Sequence, residues 1–221
     1  MAMLLKNICL PQRHRDSESA ITMIPRLWRL PPRNVTPSFT TSSANQRAKD
    51  HHRQLEAYGY FLPMQTRWQD TDQNGHVNNS VYYSFFDTIL SSYLTRHCGL
   101  NPSLPKSPLT GFMVSNQCQY YKAISFPQIP VAALAVEKVG RSSVYYRLAV
   151  FPPKSTEEMP SVDHHDITDG FFLGDPKLAQ FDPLACATGS AVHVFVNPAT
   201  GKPENLPEDF RNNLQKLMRP A

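Results

Sequence analysis

Apolar residues recur at spacings of three and four over Val81 to Leu94, which predicts an α-helix. The apolar positions are Val81, Tyr82, Phe85, Phe86, Ile89, Leu90, Tyr93 and Leu94. Because they occupy nearly every side of the helix, burial on most sides is expected. Asn78 or Asn79 can cap the first turn, whereas His97 and Gly99 suit the C-terminal end.

The segments around this helix are typical of β-strands. A first strand is predicted over Tyr58 to Trp68, and four more over Gly111 to Tyr121, Val131 to Val139, Val144 to Phe151 and Ala185 to Val196. Alternation places Phe112, Val114, Cys118 and Tyr120 on one face. Gly140-Arg141 is a tight hairpin, and Pro207 to Met218 predicts a short terminal helix. The pattern favours an α+β domain, with one antiparallel sheet wrapped around one long central helix.

Composition supports one domain with a sizeable core, since the chain has 221 residues, of which 41% are hydrophobic and 18% charged. No apolar run approaches the length that crosses a bilayer, so no membrane span is expected. The four cysteines, Cys9, Cys98, Cys118 and Cys186, form neither a CxxC pair nor a disulfide framework. This cysteine pattern favours a protein that resides in a reducing compartment.

The positive charge belongs to the N-terminus. Residues 1–49 carry a net charge of +6 and the remainder −2, so no nucleic-acid partner is expected for the body. Residues 1–48 therefore form a basic leader, and 49–221 the domain. Between Ile21 and Gln46 the leader has three arginines, no acidic residue and a Ser/Thr cluster, which favours a mitochondrial transit peptide. The alternative is a disordered tail on a cytoplasmic protein, because the leader also contains Asp16 and Glu18 and because Pro25, Pro31, Pro32 and Pro37 interrupt any long helix.

The run from Asp70 to Asn79 places two carboxylates, a glycine turn, a histidine and two asparagines directly before the predicted helix. Asp72 would lie beside a helix N-terminus, where unpaired N–H groups and the helix dipole favour negative charge. The non-catalytic interpretations are that Asp70 and Asp72 are turn residues and that the asparagines are helix caps.

The string from Arg67 to Tyr82 reads Arg-aromatic-x-Asp-Thr-Asp-x-x-Gly-His-Val-Asn-Asn-x-x-Tyr. It resembles the motif of hotdog-fold thioesterases of the 4-hydroxybenzoyl-CoA thioesterase type. Further matches are Tyr120 to Ile124, Val139 to Val144, Val194 to Val196 and Thr200 to Pro203. The resemblance covers roughly residues 58–152 and 183–218.

This resemblance implies an acyl-CoA thioesterase that hydrolyses a fatty or aromatic acyl-CoA to the free acid and CoA. Asp72 takes the position of the nucleophile or general base, and Gly75 permits the tight turn. The backbone N–H of Asn79 would stabilise the oxyanion, with His76 in support. The resemblance brings no cofactor and no metal.

The resemblance also implies which residues bind CoA, the carrier of the acyl group. They are Arg141, Ser142 and Ser143, at a hairpin that approaches the nucleotide end of CoA across a subunit interface. Lys122 is the next candidate. A solvated hairpin is the alternative. A homodimer or homotetramer is implied, with CoA or acyl-carrier protein as the carrier. The rival function is a non-catalytic hotdog subunit or an acyl-CoA/acyl-carrier binding protein in an organellar assembly, against which the intact Asp72 argues.

Residues 153–182 are the main departure from the family. Asp163-His164-His165-Asp166 gives no convincing metal site, because adjacent histidines do not share a face and no distant Cys/His pair completes a tetrahedron. The segment is expected to be a surface excursion whose apolar part, Phe171-Phe172-Leu173, folds back near the mouth of the cleft. Its replacement by a short turn should then preserve dimerisation and change the acyl preference.

Overall fold

The computed structural model describes residues 51–100, 109–154 and 159–218. The predicted leader and Cys9 lie outside the described residues. The long helix, α1, spans Asn79–His97 and confirms the predicted helix, beginning two residues earlier and ending three later. The Asn78 side chain caps it by accepting a hydrogen bond from the Ser80 backbone N–H at 3.0 Å.

One side of α1 is buried and the other is exposed. The buried side chains are Tyr82, Phe85, Phe86, Ile89, Leu90, Tyr93 and Leu94. Asp87, Thr88, Ser91 and Thr95 are exposed on the opposite face. The expectation of burial on most sides is therefore wrong for the single chain, because these polar residues follow one another at helical spacings of one, three and four and occupy a face of their own.

Six antiparallel strands form the sheet, in the order β2-β6-β4-β3-β1-β5. Their bounds are β1 Tyr60–Pro63, β2 Thr110–Tyr120, β3 Val131–Val139, β4 Ser143–Phe151, β5 Phe171–Phe172 and β6 Ala187–Val196. The predicted α+β architecture of one long helix on one antiparallel sheet is confirmed. The first strand is shorter than the predicted Tyr58 to Trp68, since it ends at Pro63 and a 3-10 turn over Trp68–Asp70 begins at the last predicted residue.

Each face of the sheet carries its own core. Leu62, Leu134 and Leu148 lie under α1, and Gly189 of β6 lets the Phe86 ring approach, since a Cβ there would lie 2.4 Å from Phe86 Cε2. The opposite, outer face carries Tyr58, Phe61, Ala133, Ala149 and Phe151.

A bulge in β2 changes which side chains face α1. Met113 pairs with His193 and Ser115 with Val192, so Val114 is the extra residue. Phe112 and Val114 are consequently 55% and 58% exposed. The predicted common face of Phe112, Val114, Cys118 and Tyr120 is wrong, because one inserted residue reverses the alternation along the strand.

The described parts of the segment, residues 153–154 and 159–182, are folded, in contrast to the expected surface excursion. It contains helix α2, His164–Asp169, and strand β5. Phe171 is 6% exposed and its ring stacks on Phe61 at 6.2 Å. Leu178 and Phe181 are also buried, so the segment completes the core on the outer face of the sheet. Asp163 and Asp166 act as a capping box for α2.

This segment is anchored at the C-terminal end of α1. Arg96 forms an ion pair with Asp169, and the Tyr60 hydroxyl donates to the Asp169 carbonyl at 2.8 Å. The segment therefore lies at the opposite end of α1 from the Asp70–Asn79 run, about 25 Å away along the axis. Its position near the mouth of a cleft between two chains stays a prediction. The final helix, α3, spans Glu208–Gln215 and confirms the predicted terminal helix. It packs Phe210 against Phe195 with ring centroids 5.1 Å apart.

Candidate active site

Backbone hydrogen bonds close the Asp70–Asn78 loop onto the start of α1. The Asn78 N–H donates to the Asp70 carbonyl at 2.8 Å, and the Asp72 N–H donates to the His76 carbonyl at 2.7 Å. Gly75, with φ of +77°, takes the left-handed conformation that makes the turn tight. The loop therefore holds Asp72 beside the N-terminus of the helix, as its position in the sequence predicts.

The Asp72 carboxylate accepts two backbone hydrogen bonds through the same oxygen. Oδ1 accepts from the Asn74 N–H at 2.8 Å and from the His76 N–H at 3.1 Å. The hydrogen bond from the His76 N–H, followed by that from the Asn74 N–H, holds the pKa of Asp72 below its usual range. Asp72 is half-buried, and the neighbouring Gly75 and His76 are exposed. The site thus presents an ionised, accessible carboxylate.

Asp70 braces the loop. It is 4% exposed and accepts from the Arg67 backbone N–H at 2.8 Å and from the Arg67 guanidinium at 3.0 Å. Both carboxylate oxygens are engaged by these bonds, which also raise the pKa of Arg67. Of the two loop carboxylates, Asp72 is the one placed to meet a substrate.

A hydrogen bond from strand β2 holds the first residue of α1 in place. The Tyr120 hydroxyl donates to the Asn79 carbonyl at 2.9 Å, and the Tyr120 ring packs on Tyr82 at 5.2 Å. Within the described parts of the chain, the Asn79 backbone N–H has no hydrogen-bond partner, so this helix N-terminus keeps a free donor. The role of Tyr120 was missed from the sequence, because the contact joins residues 41 positions apart.

Two exposed aromatic side chains next to the loop were also missed. Trp68 is 76% exposed and Phe126 41%, and their rings meet edge-on at 6.0 Å. Their signal in the sequence is a tryptophan and a phenylalanine outside every predicted apolar face. Exposed aromatic pairs are typical of surfaces that meet a ligand or another chain.

The residues predicted to bind the carrier do not come together within one chain. The Lys122 N–H donates to the Cys186 carbonyl at 3.1 Å, at the Tyr120 end of β2. The hairpin of Arg141, Ser142 and Ser143 lies at the other end, where the Leu206 N–H donates to the Arg141 carbonyl at 3.0 Å. The ten steps of β2 between Thr110 and Tyr120 separate these ends by about 30 Å.

The described ranges hold no group of three His, Cys, Asp or Glu side chains that could hold a metal ion. Cys98, Cys118 and Cys186 are free thiols. In the same parts of the chain, no helix has the length and apolar character needed to cross a membrane.

One long helix on a six-stranded antiparallel sheet, with a carboxylate loop at the helix N-terminus, defines a hotdog-fold protein. The family model described as thioesterase superfamily matches residues 74–158. The PA5185 protein of Pseudomonas aeruginosa is 34% identical in a structural match that covers 76% of this chain and 98% of that one, with a TM-score of 0.60. The chain belongs to the thioesterase superfamily.

More distant solved structures share the fold. A thioesterase superfamily protein of Jannaschia sp. CCS1 is 18% identical over 74% of this chain and 87% of its own, with a TM-score of 0.55. The DHNA-CoA thioesterase of Staphylococcus aureus is 18% identical over 72% of this chain and 89% of its own, with a TM-score of 0.53. No curated protein sequence matches this chain.

Proposed function

We propose that this protein is an acyl-CoA thioesterase, which hydrolyses a fatty or aromatic acyl-CoA to the free acid and CoA. The observation that carries the proposal is the ionised carboxylate of Asp72 beside a helix N-terminus with a free Asn79 N–H. The two groups are the nucleophile or base and the oxyanion donor that thioester cleavage needs. Membership of the thioesterase superfamily supports it.

In this mechanism the free oxygen of Asp72, Oδ2, acts at the thioester carbonyl. It either attacks the carbonyl carbon or removes a proton from a water that attacks. Negative charge develops on the carbonyl oxygen, which accepts from the Asn79 N–H at the positive end of the α1 dipole. The C–S bond then breaks, and the CoA thiolate leaves and takes up a proton. In the general-base route this step releases the free acid directly. In the nucleophilic route it leaves an acyl–Asp72 anhydride, which a water hydrolyses to the free acid and the regenerated carboxylate. Gly75 permits the turn, and His76 supports Asp72 through its backbone N–H.

The carrier site in this proposal needs two chains. Strand β2 pairs with β6 and with no other described strand, and it exposes Phe112 and Val114. Such an edge is a template for pairing with a second copy. Antiparallel pairing of two β2 edges would place the Arg141–Ser143 hairpin of one chain near the Asp72 loop and Lys122 of the other. We therefore propose a homodimer, alone or within a homotetramer, that binds the CoA phosphates in this way.

The activity is tested by incubating the purified protein with short, long and aromatic acyl-CoAs and measuring the release of free thiol. Hydrolysis of at least one class supports the enzyme. Absence of release across the panel, combined with binding of an acyl-CoA at equilibrium, would favour the alternative of a non-catalytic acyl-CoA or acyl-carrier binding subunit.

Mixed dimers test whether the site is shared. Asp72→Asn and Arg141→Ala should each be impaired alone, but a mixed dimer would contain one site with both residues intact. After subunit exchange of equal amounts, about one quarter of the wild-type activity should return at low acyl-CoA concentration, since half of the dimers are mixed and each has one intact site. A mixture no more active than its two components, with exchange verified, would refute the shared site.

We further propose that the basic leader directs the protein to mitochondria. A fluorescent reporter carrying residues 1–47 should enter mitochondria, and a chain that begins at Ala48 should fold and keep its activity. The first described strand contact of the core is the bridge between Gln54 and Leu184, which this truncation leaves intact. Diffuse cytosolic fluorescence would leave the leader as a disordered tail.

A further inference from the structure

A polar cavity of about 210 Å³ lies on the outer face of the sheet. The polar residues that line it include His52, Gln117, Glu137, Arg147, Thr188 and Ser190. Its floor is built across three strands, because Gln117 of β2 pairs with Ser190 of β6, which in turn pairs with Arg147 of β4. This outer-face cavity is separated from α1 by the sheet, so it is distinct from the candidate active site.

Arg147 is buried in this cavity with an incomplete set of hydrogen bonds. Its side chain is 4% exposed. Nη2 donates to the Ala57 carbonyl at 3.3 Å, and Nη1 lies 3.8 Å from Glu137 Oε1. Nε has no partner among the described residues. A guanidinium carries five N–H donors, and leaving one of them buried without an acceptor is costly.

The charge of Arg147 is only weakly compensated by its surroundings. Burial and the nearby Arg147 charge lower the pKa of His52 to about 4, so His52 is neutral at pH 7. The buried Nε2 of His52 also lacks a hydrogen-bond partner within the described ranges. Glu137 is 40% exposed, so solvent weakens its compensation of the Arg147 charge. The unpaired Nε–H of Arg147 and its weakly compensated charge both favour an acceptor that carries negative charge.

Packing alone does not explain an arginine at position 147. Its outer-face neighbours along β4 are Ala149 and Phe151, both fully buried, and an apolar residue there would avoid the cost of burying a charge. The opposing Ser190 and Thr188 are small, and this leaves the cavity in front of the guanidinium.

We propose that the outer-face cavity binds a small carboxylate or phosphate anion, which pairs with Arg147 and accepts hydrogen bonds from Ser190 and Gln117. The cavity has room for a phosphate or a short-chain acid, but it is below the size of sites that enclose larger ligands. Binding here would tie β2, β4 and β6 to the His52 segment. The proposal does not depend on thioesterase activity.

The test measures the melting temperature of the full chain at pH 7 in increasing phosphate or acetate, against chloride of equal ionic strength. At ten times the Kd, the wild type should melt about 3–6 °C higher than in chloride, and above the Kd the shift should rise with the logarithm of the anion concentration. Ser190→Ala and Arg147→Gln should lose the shift. Ser190→Ala keeps the test valid if Arg147→Gln does not fold, because it removes only the hydroxyl group and adds no bulk to the cavity.

Arg141→Gln is the matched control, since it removes an arginine from the proposed CoA hairpin and should retain the full shift. A second readout is the pKa of His52, followed by NMR in acetate and in chloride, which should rise when an anion offsets the Arg147 charge. A shift that grows linearly with salt and is equal in every variant would reflect general salt exclusion from the surface and would overturn the proposal. Loss of the shift in Arg141→Gln alone would assign the anion to the CoA hairpin and would overturn it as well.

Discussion

Replacing Asp72 with Asn is expected to lower the turnover of acyl-CoA at least about 100-fold without unfolding the protein. The amide oxygen can still accept the hydrogen bonds from the Asn74 and His76 N–H groups, so the loop should keep its shape. What is lost is the negative charge needed for attack or for activation of water. Steady-state kinetics on the best substrate of the acyl-CoA panel, with circular dichroism as the check on folding, measure the effect.

Asp70→Asn is the matched control on the same loop. It should reduce turnover less, because Asp70 is occupied by Arg67 and its effect on catalysis passes through the shape of the loop. Near-wild-type hydrolysis by folded Asp72→Asn would show that Asp72 neither attacks nor activates water, and a larger loss from Asp70→Asn would assign the chemistry to Asp70.

The pH profile of the wild type follows from the same hydrogen bonds. Because the pKa of Asp72 is lowered, the carboxylate stays ionised at pH values where an ordinary aspartate begins to take up a proton. The activity should therefore persist through that range as the pH falls and decline at a lower pH, through the lowered pKa. The same group stabilises the fold at higher pH, and this contribution is lost in the same acidic window. A decline in activity near neutral pH would show that a group other than Asp72 controls the pH dependence.

Phe171→Ala is expected to destabilise the protein by about 3–5 kcal/mol, the usual cost of removing a buried phenylalanine ring. The ring is 6% exposed and stacks on Phe61 on the outer face of the sheet. Equilibrium unfolding in urea measures the free energy. Phe172→Ala provides the control, because the neighbouring side chain in the same two-residue strand is 47% exposed and should lose much less stability.

Equal losses from Phe171→Ala and Phe172→Ala, or a loss below about 1 kcal/mol from the first, would show that the segment contributes little to the core. Since Phe171, Leu178 and Phe181 are all buried, replacing residues 153–182 by a short turn is now expected to unfold the domain. The sequence predicts a stable dimer with an altered acyl preference, whereas the burial of these side chains predicts a loss of stability.

Features that depend on neighbouring residues were predictable from the sequence. The helix of α1, its Asn78 cap and the Gly75 turn follow from side-chain periodicity and from backbone preferences within a few residues. The placement of Asp72 at the helix N-terminus followed for the same reason, because Asp72 lies only seven positions before Asn79. The Arg67–Tyr82 string also identified the superfamily.

Features that depend on strand register and on contacts between distant residues were decided by the tertiary structure. The Val114 bulge reverses the exposure of β2, and Phe171 is buried because it meets Phe61, 110 positions earlier in the chain. The burial of Arg147 in the outer-face cavity likewise depends on β2 and β6 lying beside β4. Local sequence patterns do not determine such pairings, because the free energy that selects them comes from surfaces that meet only after the chain has folded.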